Sequence, residues 1–444
     1  MTVLALTPLE DYLRQVLTAL APLPPRRVPL SQAHGLVLAE PVTAELPVPP
    51  WTNSAMDGYA VRAATVQPTS PGAAVVLPVS GDIPAGSAPT ALPEGTAMRI
   101  MTGAMLPPGA DAVVRVEDTD QQPGNHPLPT QVELRAPVSP GQNVRMAGED
   151  VSPADPVLPA GTILSATALS ALASVGRGEV LAYPQPRVAV VSTGAELTEP
   201  GQPLSPGAIP DSNSLLLTGL AREAGATVTA TVRSGDTTQE VAACLLEAAE
   251  SADLLISSGG VSAGAFDPLT MLAAVPEHRE RITLSFIKVA MQPGKPQGWG
   301  VVRASDGRAV PLLMLPGNPV SVLVSFRTIV VPVLARLTGL DLDGDAAVPS
   351  LLPRQARAAV AWKTAGARRQ HIPVRMVPAP AGATSAAGLW VCPTHRLGSG
   401  SHLVASLPAA QALAVVEAGT ATVEVGDVVS LLPLSAPSAP GQAG

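Results

Sequence analysis

Residues 254–264 read LLISSGGVSAG, and residues 187–197 read RVAVVSTGAEL. In each, an apolar run ends abruptly in Ser or Thr and then Gly. Such a run has no polar face, so it belongs in a strand covered on both sides, the habit of parallel sheets. Glycines let the chain turn sharply at the strand end. Successive N–H groups can then converge on an anion, and hydroxyls add donors. Ser192, Thr193 and Gly194 stand ready for this in the earlier stretch, and Ser257, Ser258, Gly259 and Gly260 in the later one. A tight strand-to-helix connection is the competing reading of each turn taken alone. A third strand end, LMLPGNPVS (313–321), brings Pro316, Gly317 and Asn318 to the start of a helix. Asn318 suits the N-cap and Pro319 the first helical position. Three polar turns at strand ends of one sheet are hard to explain as connections alone, and open α/β sheets bind ligands at those ends.

Working outward, helical patterns at 212–224, 237–250, 268–275 and 319–337 alternate with strand patterns at 226–232, 253–257, 300–303 and 311–315. This predicts a three-layer α/β domain over 183–340 with a mostly parallel sheet. Carboxylates accompany its turns. Glu196 follows the first. Asp236, in VRSGD, and Asp267, directly after the second turn, each read as a helix N-cap or as a functional carboxylate. For Asp267 the functional reading is a position beside bound phosphate, where it could hold Mg²⁺. The segment FIKVAMQPGKPQGW (286–299) carries Lys288 and Lys295 in a chain whose other cations are nearly all Arg. A solvated surface is the bland reading of these lysines. Phosphate or another oxyanion is the functional one.

At 444 residues the chain has room for two to four domains, and 46% apolar residues supply their cores. A net charge of −8 and 2% aromatics exclude the basic footprint and stacking platforms of nucleic-acid binders. Two cysteines, Cys244 and Cys392, exclude a disulfide scaffold and fit a reducing cytoplasm. The start has no basic targeting segment, and the apolar stretch 320–337 carries Arg327, Pro332 and Arg336, as a buried helix does. Helical patterns at 5–22 and 163–176 flank a turn-rich β region. The expected domains are therefore 1–25 plus 145–182 as one discontinuous domain, 26–144 as an inserted β domain, 183–340, a small barrel or sandwich at 341–435, and a tail at 436–444. Three further segments stand out: WTNSAMDGYA (51–60), RIMTG (99–103) and RMAGED (145–150). Periodicity gives the first two no role, and the third reads as a surface turn.

Taken together, NSAMDGYAVR (53–62), RIMTGAMLPPGADAVV (99–114), VRMAGED (144–150), VSTGAEL (191–197), SSGGVSAGAFD (257–267), PGKP (293–296) and LPGNPVS (315–321) resemble the MoeA family, molybdopterin molybdenumtransferases related to the E domain of gephyrin. The resemblance runs along nearly the whole chain, and it implies four domains, with 1–25 plus 145–182 elongated and 341–435 a C-terminal β-barrel. It implies a homodimer whose site lies between the α/β domain of one subunit and the first half of the other. It also implies insertion of molybdate into adenylylated molybdopterin, with release of AMP and with Mg²⁺ as cofactor.

Carried over, the implied catalytic residues are Asp57, Thr102, Asp150, Glu196, Asp236, Asp267, Lys288 and Lys295, with Glu196 and Asp267 on the metal. Gln292, Arg368 and Ser401 fall at the molybdate positions. Two departures stand out. Gln292 occupies a position where the family often has lysine, so Gln292→Lys is expected to add a charge and lower the half-saturating molybdate concentration. Ala265 stands where many members have an acidic residue. A molybdopterin adenylyltransferase and a non-catalytic scaffold on the same fold are the alternatives. The first would not need residues 1–150 or the barrel, and the second would not need the carboxylates.

Overall fold

The computed structural model describes residues 6–67, 73–261, 267–340, 354–364, 366–381, 388–396, 398 and 400–434. Ala265, the residues around it from 262 to 266, and the tail at 436–444 lie outside them.

A six-stranded sheet forms the centre, in the order Thr227–Ser234, Arg187–Thr193, Leu254–Ser258, Ala309–Leu315, Pro296–Arg303, Ile282–Lys288. The first four strands run parallel, Pro296–Arg303 runs antiparallel to them, and Ile282–Lys288, antiparallel to Pro296–Arg303, returns to the common direction. Successive side chains of Arg187–Thr193 enter opposite layers. Val188 and Val190 pack with Leu217, Leu220 and Phe326 on one face, while Ala189 and Val191 pack with Val241, Leu245 and Leu269 on the other. Burial on both faces is why this strand reads as an unbroken apolar run. The strand Ile282–Lys288 is an addition to the expected elements. It lies at the sheet edge with most of its residues partly or fully exposed, so no apolar run announces it.

The helix Pro319–Leu337 is buried along nearly its whole length inside the protein, so it is a core helix. Its middle turn, Phe326–Val330, is π-helical and ends two residues before Pro332. A proline ring clashes with the carbonyl four residues back in a regular helix, and the wider turn relieves that clash.

The first helix, Leu9–Thr18, corrects the expected pairing of 1–25 with 145–182. It packs on the α/β domain instead, with Tyr12 and Val16 in one core with Val188, Leu217 and Phe326. Tyr12 Oη donates to the Gly298 carbonyl at 3.1 Å, and Arg336 Nε donates to the Leu20 carbonyl at 3.1 Å. The helix Ala166–Ser174 finds its partners in residues 26–43. Arg26–Pro29 and Val37–Leu38 pair with Glu179–Tyr183, and Val42–Thr43 pairs with Pro156–Leu158. Val28, Leu38, Leu164, Leu172 and Val180 close that core.

The inserted module hangs from a two-strand neck, Asn53–Ser54 against Val144–Arg145. Its five-stranded sheet runs Ala112–Arg115, Gly58–Val61, Ala97–Ile100, Val75–Ile83, Gln131–Leu134. At the C-terminal end, Arg369–Val377 pairs with both Trp390–Pro393 and Ala412–Val416. Val428–Pro433 and Arg354–Ala358 complete the circuit, so the sheet closes into a five-stranded barrel. One short strand from the α/β domain, Met291–Gln292, adds in parallel to Arg369–Gln370 and welds the two units together.

Candidate functional site

The chain lays down Arg187–Thr193 first, Thr227–Ser234 on one side of it, and Leu254–Ser258 on the other. The crevice between the carboxyl ends of the first and third strands is therefore a topological switch point, where such sheets take ligands. Three turns meet there. Gly259 donates its N–H to the Leu315 carbonyl at 3.1 Å, and Thr193 Oγ1 donates to the Ser258 carbonyl at 3.4 Å. Gly259 and Gly260 have φ of +87° and +72°, and a Cβ on Gly259 would stand 2.8 Å from the Thr193 carbonyl oxygen. Only glycine fits this turn without displacing its neighbour. Gly317 follows Pro316 close by, its added Cβ position 3.6 Å from Gly259 Cα.

A hydroxyl network lines the crevice. Ser192 Oγ lies 2.7 Å from Ser214 Oγ and 3.5 Å from Ser258 Oγ. Asp211 caps the helix Ser212–Glu223, accepting from Ser214 N at 3.0 Å and Ser214 Oγ at 2.6 Å. Asn213 Nδ2 donates to the Gly317 carbonyl at 2.6 Å. Among the described residues, Ser257 Oγ and Asn213 Oδ1 are buried polar atoms without a partner. Buried polar atoms ordinarily are satisfied, so two beside this crevice are available to a ligand group or water. The helical pattern at 212–224 does not by itself show that Asn213 and Ser214 join the crevice. The clustering of four polar residues at the start of one helix was the signal.

The carboxylates around the crevice differ. Asp236 Oδ1 accepts from the Ala195 N–H at 2.8 Å. It does not cap the helix Thr238–Ser251, because Thr237 and Glu240 form the capping box. The exposed Glu196 carboxylate folds back beside Gly194. Asp267 is 7% exposed and starts the helix Pro268–Ala274 without its side chain capping it. Among the described residues, no three His, Cys, Asp or Glu side chains gather as a metal cage. Mg²⁺ does not need one, since it is commonly held by one or two carboxylates together with substrate phosphates and waters. The hard oxygen donors of Glu196 and Asp267 fit that mode.

Lys288 and Lys295 are exposed at neighbouring ends of two strands, with Val289 N donating to the Lys295 carbonyl at 2.8 Å. Between them Gln292 is half-buried and accepts from Arg368 Nη2 at 2.8 Å. The Ser401 carbonyl accepts from Val320 N at 3.2 Å, bringing a second barrel loop to the Asn318 turn. Gln297, 1% exposed, was not anticipated. Its Nε2 donates to the Gly294 carbonyl at 2.8 Å and to Ser325 Oγ at 2.6 Å, so it ties the PGKP loop to the helix below.

In the first half, Asp57 Oδ1 accepts from both Thr102 N at 2.6 Å and Thr102 Oγ1 at 2.7 Å. Next to it, a side chain at Gly58 would collide with the Val114 carbonyl. Asp150 is exposed beside the neck, its N–H donating to the Val48 carbonyl at 2.9 Å. Among the described residues, no hydrogen bond or ion pair links Asp57, Thr102 or Asp150 to the crevice of the same chain.

Comparison with known proteins adds an independent line. Residues 7–176 match the MoeA N-terminal region (domain I and II), 189–336 the probable molybdopterin binding domain, and 355–434 the MoeA C-terminal region (domain IV). Molybdopterin molybdenumtransferase 2 of Mycobacterium tuberculosis is 44% identical over 333 residues, covering 74% of this chain and 80% of that one. The molybdopterin molybdenumtransferase of Nostoc sp. is 38% identical over 314 residues, 70% of this chain and 69% of its own. Among solved structures, the molybdopterin biosynthesis moea protein of Pyrococcus horikosii superposes with a TM-score of 0.77 at 28% identity, covering 97% of this chain and 100% of that one.

Proposed function

Since the chain belongs to the MoeA family of molybdopterin molybdenumtransferases, we propose that it inserts molybdate into adenylylated molybdopterin and releases AMP. The reading rests on one observation above all: three N–H- and hydroxyl-bearing turns abut at the switch point of the sheet, with barrel loops carrying Arg368 and Ser401 docked alongside. The substrate needs such a place. Its phosphoanhydride is multiply negative, and molybdate is itself a tetrahedral dianion that takes Lys, Arg, Ser and amide donors as phosphate does.

In this reading Ser192, Thr193, Ser257, Ser258 and the 259–260 and 316–318 backbones hold the phosphates of the anhydride. Lys288 and Lys295 offset the charge that grows on the leaving AMP phosphate. Asp236 keeps the 194–196 turn in place through Ala195. Glu196 and Asp267 would hold Mg²⁺, which would supply Lewis-acid neutralisation of the phosphate oxygens. Gln292, Arg368 and Ser401 receive the molybdate next to the dithiolene. Asp57, Thr102 and Asp150 act from the partner subunit of a homodimer, which is consistent with their having no bond to the crevice of their own chain. We place the protein in a reducing cytoplasm, supported by free Cys244 and Cys392.

The test is incubation of the purified protein with adenylylated molybdopterin, molybdate and Mg²⁺, with AMP followed over time. AMP release that requires molybdate is the expected result. Release no faster than in buffer, or release indifferent to molybdate, would sink the reading.

A further inference from the structure

We propose that Gln292 is the positioning residue for Arg368: its side-chain oxygen fixes the guanidinium so that the remaining N–H donors meet a tetrahedral oxyanion. This rests on the reading of the site given above. Arg368 Nη2 donates to Gln292 Oε1 at 2.8 Å and Nη1 donates to the Met291 carbonyl at 3.3 Å. Both acceptors come from one two-residue strand, which is itself paired with Arg369–Gln370. Among the described residues two of the five guanidinium N–H groups are thereby engaged, which leaves three. Only the oxygen of an amide can accept from arginine, so the Gln292 NH₂ is turned the other way as a further donor.

The hold is firm because its base is firm. Gln297 is nearly fully buried and ties the Gly294 carbonyl to Ser325, and the Val289–Lys295 hydrogen bond closes the loop. A long arginine side chain otherwise samples many rotamers. Here the barrel contributes the cation and the α/β domain contributes the acceptor that aims it, so the orientation is set before the anion arrives.

Lysine cannot do this. It has three donors and no acceptor, and at position 292 its ammonium would face the Arg368 guanidinium. Adding a charge with Gln292→Lys therefore removes the device that orients the charge already present. The expectation of tighter molybdate binding in that variant is reversed.

Calorimetric titration of molybdate into the purified full chain tests this in wild type, Gln292→Met, Gln292→Lys, Arg368→Met and the Gln292→Met/Arg368→Met pair, with Gln292→Leu standing in if Gln292→Met does not fold. Losing an oriented charge-assisted hydrogen bond should weaken binding about tenfold or more in Gln292→Met. In the Arg368→Met background the same change should do almost nothing, because there is no guanidinium left to orient. Gln292→Lys should bind no tighter than wild type. In AMP release the Gln292→Met half-saturating molybdate should rise while the maximal rate stays within about twofold. Additive losses in the pair, or tighter binding by Gln292→Lys, overturn the positioning role and leave the proposed function standing. Failure of wild type to bind molybdate at all overturns both.

Discussion

Asp236 accepts a hydrogen bond from the backbone N–H of Ala195 at 2.8 Å, so the turn after one parallel strand is held by the turn after its neighbour. The contact is a charge-assisted clasp on a segment that carries Glu196. Because Thr237 and Glu240 already cap the following helix, Asp236 is dispensable for helix stability. Asp236→Ala should raise KM for the adenylylated pterin several-fold, on the order of one lost hydrogen bond, with little change in Tm. Asp236→Asn keeps an acceptor and should lie between. An unchanged KM in the alanine variant would separate the clasp from substrate binding.

Gly259→Ala tests the meeting of the turns. The residue has φ of +87° and its Cβ would press on the Thr193 carbonyl. Gly86 has a similar φ of +84° with open space around it. Both alanine variants carry left-handed strain of about 1 kcal/mol. Only Gly259→Ala should also lose more than tenfold of AMP release. Equal activity in the two would mean that the turn tolerates displacement.

Asp267→Asn changes one oxygen for nitrogen at a position where the side chain does not cap its helix. A metal-ligating carboxylate lost from a phosphoryl site should lower kcat/KM well over tenfold while Tm holds. Turnover equal to wild type across a Mg²⁺ titration would remove Asp267 from the site.

The proposed intersubunit site makes a prediction about mixtures. Asp57→Ala and Asp267→Asn should each be inactive. Each dimer of one with the other holds one intact site, so random assortment restores about a quarter of wild-type sites. Light scattering should give a dimer mass at micromolar concentration. A monomer, or a mixture that stays inactive after subunit exchange, would place both sets of residues within one chain.

His371, 2% exposed on the barrel strand Arg369–Val377, is pulled down to about 4 by burial, with the nearby Arg369 guanidinium adding to the effect. The folded state therefore holds this imidazole neutral while the unfolded chain takes up a proton near pH 6.5. Stability is complete above that value and is lost as pH falls from about 6.5 to about 4, by on the order of 3 kcal/mol. Urea midpoints at pH 7 and pH 5 should converge in His371→Gln relative to wild type. Parallel pH slopes in the two proteins would assign the acid sensitivity elsewhere.

The α/β domain was largely legible because its central strands are buried on both faces, so Val188–Val191 and Leu254–Ile256 leave an unbroken apolar trace. The converging turns were legible for the same reason: a polar Ser-Gly end stands out against such a strand. What escaped was set by distance or by edges. Tyr12 and Gly298 lie 286 positions apart, and no local period announces their contact. The strand Ile282–Lys288 shows a half-exposed pattern that loops share. Arg368 and Gln292 were placed near a common anion by resemblance, but the direction of their hydrogen bond, and with it the meaning of a glutamine there, needed coordinates.

The packing of the first helix has a consequence for synthesis. Tyr12 and Val16 emerge from the ribosome long before Phe326 and Leu334 exist, and the Arg336–Leu20 hydrogen bond spans 316 positions. At roughly 5–20 residues per second, the helix waits about 15–60 s for the surface that covers it. In that interval the inserted sheet is already complete and free to fold. The helix Leu9–Thr18 is thus among the last to find its place, and its apolar face is what the nascent protein must keep from wrong partners until the core helix arrives.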